Sequence, residues 1–155
     1  MASVTMADVL KKGIAREIES QRLYKDLGAR VQLPAAEYAF SLLVKDEEGH
    51  QRILERYLSG GFADGALDIR HVVDYRIAEH LDQPEVGPNM QLPDIFLLAA
   101  NREKKSFDFY TELAAIHPEG ATRQLMTKLA SEELGHKQKV ESMYGEVAFP
   151  QTDGG

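Results

Sequence analysis

Moved along itself by 86 positions, this sequence matches itself without a gap between 16–55 and 102–141. Twelve of the 40 pairs are identical, where average composition gives about two or three by chance. The identities include Glu17/Glu103, Tyr24/Tyr110, Leu27/Leu113, Glu47/Glu133, Gly49/Gly135 and His50/His136. A segment of this length used twice implies two copies of one supersecondary unit, and the periodicity inside each copy says which unit it is.

Apolar or inward positions recur at alternating steps of four and three, the signature of amphipathic helices. The first series is Leu10, Ile14, Glu17, Gln21, Tyr24, Gly28 and Val31, opened by a capping pair of Thr5 and Asp8. A second series starts at Pro34, a residue suited to the first helical turn, and runs Phe40, Leu43, Glu47, His50, Leu54, Tyr57 up to Ser59-Gly60-Gly61. The third is Phe96, Ala100, Glu103, Phe107, Tyr110, Ala114; the break at His117-Pro118-Glu119-Gly120 separates it from the fourth, Met126, Leu129, Glu133, His136, Val140, Met143. No strand-like alternation is present. The expected fold is all-α: hairpin one over about 5–58, a crossover over about 59–91 holding a short helix near 68–82, and hairpin two over about 92–145. One domain spans 1–146, with residues 147–155 as a tail. Two helical hairpins joined by a long crossover make a four-helix bundle.

Composition narrows the function. The 155 residues carry a formal net charge of -7 and no basic run, so neither nucleic acid nor an anionic membrane is an expected partner. The longest uninterrupted apolar run, Ile95 to Ala100, is far short of a membrane span. The first 13 residues lack the apolar core of a secretion signal, and the expected location is cytoplasmic. With no cysteine, disulfides, zinc–thiolate sites, iron–sulfur clusters and a rubredoxin-type iron centre are excluded within these residues.

The informative charges are those on the seams. Glu17, Glu47, His50, Glu103, Glu133 and His136 occupy inward positions, and no lysine or arginine falls on the same series. A buried, uncompensated carboxylate costs on the order of several kcal/mol, and four together repel one another. Hairpin geometry gathers them: Glu17 precedes the turn at Leu33 by 16 residues and Glu47 follows it by 14, so both lie about 21–24 Å from the turn. Each Glu-x-x-His pair puts both side chains on one helix face. Four carboxylates and two neutral imidazoles balance two divalent cations. Mixed oxygen and nitrogen donors suit iron, manganese or zinc, and disfavour magnesium and calcium. The metal-free alternative is a polar core of hydrogen-bonded Glu–His pairs.

The segments A-R-E-I-E-S-Q-R-L-Y around Glu17, D-E-E-G-H at 46–50, N-R-E-K-K-S-F-D-F-Y around Glu103 and S-E-E-L-G-H at 131–136 resemble the ferritin-like superfamily, and within it the rubrerythrin-like branch. The resemblance implies a di-iron centre in which Glu47 and Glu133 bridge the metals, Glu17 and His50 complete one iron, and Glu103 and His136 the other. Tyr24 and Tyr110, two turns beyond Glu17 and Glu103, are expected to hydrogen-bond ligand carboxylates or donate an electron. The implied activity is reduction of hydrogen peroxide or dioxygen with electrons from an external, rubredoxin-like donor. A ferroxidase or iron-storage role is the alternative, and a di-iron hydroxylase the third. Two features depart from the branch: Ser106 stands where a further glutamate is usual, and no rubredoxin module accompanies the helices. The paired hairpins also suggest a homodimer.

Overall fold

The computed structural model describes residues 6–60, 84 and 87–148. Four helices are present: α1 (Met6–Arg30), α2 (Pro34–Leu58), α3 (Leu92–Ala115) and α4 (Ala121–Ala148). The described residues contain no strand. The capping pair at Thr5, the crossover helix near 68–82 and most of the crossover lie outside the described residues. The chain divides into two compact units, one on either side of residue 66.

In the first unit α1 packs on α2. The turn between them is three residues long and contains Gln32 in the left-handed region, φ 46°. That conformation is costly for a side chain other than glycine, and it reverses the chain sharply enough for a tight hairpin. Leu33 is extended, as a residue before proline must be, and Pro34 opens α2 without a side-chain cap. The Glu37 amide donates to the Leu33 carbonyl at 2.9 Å, and the Glu37 carboxylate sits favourably in the first turn. At the far end Ser59 and Gly60 donate to the Glu55 and Tyr57 carbonyls, with Gly60 at φ 88° closing the helix.

Much of the core of this unit follows the sequence pattern: Leu10, Tyr24 and Val31 of α1 and Phe40, Leu43 and Leu54 of α2 are buried, while Leu27, off the series, is buried and Ile14, on it, is half-buried. Phe40 packs directly against Gly28 of α1. A Cβ built there would lie 3.2 Å from Phe40 Cβ, so glycine is what lets Phe40 sit against α1. By contrast, Gly49 and Gly135 do not mark tight helix approaches. A Cβ at Gly49 meets only the flexible end of Arg52 at 3.8 Å, and at Gly135 no described atom lies within 4 Å.

In the second unit α3 packs on α4. The run Ile95–Ala100 is buried at every position, so this first part of α3 is covered on all faces, as a helix apolar all round must be. Ser106, not Phe107, is the buried member of its turn. The fourth helix continues to Ala148, three residues past the expected end near 145. Gly145 costs only about 1 kcal/mol in a helix interior, and the partly buried Met143, Tyr144 and Val147 carry the apolar face on through it.

Candidate metal centre

Each hairpin brings three of the six seam residues together. In the first, Glu17 comes from the middle of α1, and Glu47 and His50 from one face of α2. All three are buried, at 2%, 1% and 2% exposure. His50 Nδ1 lies 3.7 Å from Glu17 Oε1 and 3.7 Å from Glu47 Oε2. In the second hairpin Glu103 comes from α3, and Glu133 and His136 from α4. His136 Nδ1 lies 3.6 Å from Glu103 Oε1. Within each trio the candidate ligand atoms fall within 4.8 Å of one another.

These distances decide what the clusters suit. Atoms that share one divalent transition ion at about 2.0–2.2 Å lie roughly 3–3.5 Å apart. The Nδ1–Oε separations in each trio are close to that ligand spacing. The donor set, carboxylate with imidazole, fits iron, manganese or zinc.

The electrostatics point the same way. Burial, together with the neighbouring Glu47 carboxyl and against the pull of His50, pushes the Glu17 carboxyl up from an ordinary 4.5 to about 7. Such a group holds a proton for much of the time near neutral pH, and a bound cation can take that proton's place.

Tyr24 and Tyr110 are buried two turns beyond Glu17 and Glu103, at 0% and 1% exposure. The Tyr24 ring packs on Phe40 with centroids 5.9 Å apart, and the Tyr110 ring meets Phe109 edge-on at 5.2 Å. Ser20 and Ser106, three residues after Glu17 and Glu103, are both buried. Of the acidic neighbours, Asp46 is exposed, while Glu48 and Glu132 are partly exposed. His117, in the turn between α3 and α4, donates from Nδ1 to the Leu113 carbonyl at 2.7 Å.

One feature escaped the seam pattern. Lys137, directly after His136, is 1% exposed and pairs with the fully buried Glu141, Nζ to Oε2 at 3.0 Å. It lies one position off the α4 series, so the seam rule passed over it. The repeat did carry the signal, because the matching residue in the first copy is the neutral Gln51.

Antiparallel helical hairpins that each bury two glutamates and a histidine from Glu and Glu-x-x-His positions define the class of four-helix carboxylate metalloproteins. The rubrerythrin family model matches residues 8–144, nearly the whole chain, and the protein belongs to that family of ferritin-like di-iron proteins. No curated protein and no solved structure matches the chain. Among the described residues no helix is long and apolar enough to cross a membrane.

Proposed function

We propose that the protein is a non-haem di-iron oxidoreductase that reduces hydrogen peroxide or dioxygen with electrons from an external donor. The observation that carries this reading is the pair of buried trios, each with its candidate ligand atoms within 4.8 Å. Glu17, Glu47 and His50 with Glu103, Glu133 and His136 are the residues that would hold the two ions. When bound, two ferrous ions supply the two electrons that, with two protons, convert hydrogen peroxide to two waters.

The chain's own residues set the conditions for that chemistry. Four carboxylates against two neutral imidazoles carry four negative charges, balanced by two divalent ions. Burial keeps bulk water from the ligands and strengthens their hold on a cation. Tyr24 and Tyr110 stand as hydrogen-bond partners or one-electron donors beside the site. Re-reduction falls to a rubredoxin-like donor outside these residues, which contain no cysteine to hold a rubredoxin-type centre.

Stopped-flow mixing of the diferrous protein with peroxide tests the reading. Oxidation of the bound iron faster than that of free ferrous ion is expected, and an equal rate sinks the enzyme assignment. Ser106, in the place of an extra carboxylate ligand, favours a second reading in which the same centre oxidises iron for storage or transfer. Oligomeric mass separates the two, since storage needs a closed shell of many subunits and the oxidoreductase reading expects a homodimer.

A further inference from the structure

Within the first hairpin a hydrogen bond joins α1 to α2 beside the ligands: Gln21 Nε2 donates to Gln51 Oε1 at 2.8 Å. Gln21 is 8% exposed and lies on the inward series with Glu17, while Gln51 is half-buried and directly follows His50. The first is four residues past Glu17 and the second four past Glu47. At that separation a helix stacks its side chains one above the other on one face. Each glutamine therefore neighbours the ligand glutamate of its own helix.

Heights along the hairpin fix where the two amides meet. Gln21 precedes the turn residue Leu33 by 12 positions and Gln51 follows it by 18, so their Cα atoms differ in height by about 9 Å. Helical side chains lean towards the N-terminus of their own helix. In α1 that direction runs away from the turn and in α2 towards it, so the two glutamines lean towards each other and close the gap. Midway between them is a level 15 positions from Leu33, and Glu17 stands at 16 and Glu47 at 14. The bridge thus crosses the hairpin at the level of the two ligand carboxylates. The fold does not demand it, because the second copy builds the same kind of hairpin with Phe107 and Lys137 at the matching places. Nor is it the most stabilising choice: a neutral hydrogen bond nets about 1 kcal/mol, whereas burying a large apolar side chain gains about 1.5–3 kcal/mol.

We propose that Gln21 and Gln51 are positioning residues for the first trio: their bridge holds α1 and α2 in the register at which Glu17, Glu47 and His50 converge on a metal ion. The need arises from the ligands themselves. Binding a cation requires both carboxylates charged, and charged carboxylates whose ligand oxygens lie within 4.8 Å repel each other. Before an ion arrives something else must keep them together, and a cross-helix hydrogen bond at their own level does so. Without it, part of the binding energy is spent drawing the ligands together, and affinity falls. Loss of partners that orient metal ligands typically lowers metal affinity roughly 10- to 100-fold. The inference rests on the metal reading above and concerns the first hairpin alone.

The test is titration of metal-free protein with Co(II), followed by calorimetry and by the visible absorption of the bound ion, for the unaltered chain, Gln21→Leu, Gln51→Leu and Q21L/Q51L. Leucine keeps most of the volume and removes the bond. Each single variant should weaken one bound equivalent by roughly tenfold and shift its absorption bands. The double variant should be no weaker than either single one, because all three lose the same bond. Circular dichroism and melting of the metal-free forms check the fold. If Gln21→Leu does not fold, Gln51→Ala removes the bond at a half-buried position where alanine favours the helix. A folded variant without the bridge that binds Co(II) within about twofold of the unaltered chain, with the same spectrum, overturns the proposal even if it melts earlier, since a merely structural bridge moves only the melting. A double variant whose loss is the sum of the two single losses overturns it as well. An unaltered chain that binds no Co(II) refutes the metal reading itself, and the inference with it.

Discussion

Removing the metal should turn Glu17 into a liability whose size depends on pH. In the folded, metal-free protein its carboxyl is raised from 4.5 to about 7 by burial and by the facing Glu47. Because the folded state holds this proton more tightly than the unfolded chain, the group's contribution is fully present below pH 4.5. It is lost as pH rises through 7, where the carboxylate must be buried charged. The loss is about 3 kcal/mol, or roughly 6–12 °C in melting temperature for a chain of this size. Urea unfolding of chelator-treated protein, compared with Glu17→Gln between pH 4.5 and 8, isolates it from the other carboxylates. The two proteins should match near pH 4.5, and the variant should be more stable by about 3 kcal/mol at pH 8. With Co(II) in excess the order at pH 8 reverses, since the ion binds the ionised ligand and Gln supplies none. A metal-free protein whose margin over Glu17→Gln stays flat from pH 4.5 to 8 would refute the reasoning.

Two further outcomes follow from packing. Gly28→Ala places a Cβ 3.2 Å from Phe40 Cβ, so thermal melting should show a net loss of about 1 kcal/mol despite the better helix propensity of alanine; Gly135→Ala meets no described atom and should stabilise the metal-free protein by up to about 1 kcal/mol. Lys137→Met alone strands the buried Glu141 charge and should cost about 3–5 kcal/mol in urea unfolding, while K137M/E141L should come within about 1 kcal/mol of the unaltered protein.

The helices and their seams were legible because burial here has a period, and that period is written twice. Leu10, Tyr24, Phe40, Leu43, Leu54, Met126, Leu129 and Val140 are buried where spacing alone puts them, whereas Leu27, one position off the series, is buried in place of the half-buried Gly28. Glu17 faces His50, and Glu103 faces His136, because equal distances from a turn give equal heights along antiparallel helices. What the pattern missed has a physical reason in each case. A seam rule scores one stripe per helix, so it passed over Lys137, whose burial depends on a partner four residues away rather than on its own polarity. Glycine carries no side chain to mark its surroundings, so the spacing could not tell Gly28, pressed against Phe40, from Gly135, which has open space. The end of α4 was placed early because Gly145 looks like a stop, whereas three partly buried residues around it favour continuing the helix.

The repeat itself reaches further than the helices. Two copies that kept Glu, Glu-x-x-His, the following Tyr and the buried Ser held fixed what ligation and the packing around it require. The same copies diverged at Gln21/Phe107 and Gln51/Lys137, positions one turn from the ligands, where a change of charge alters the field at the site without altering a ligand. If that divergence were only drift, a neutral and a charged side chain would be equally tolerable there. A buried ammonium is not, because it needs a carboxylate beside it, and the fully buried Glu141 supplies one.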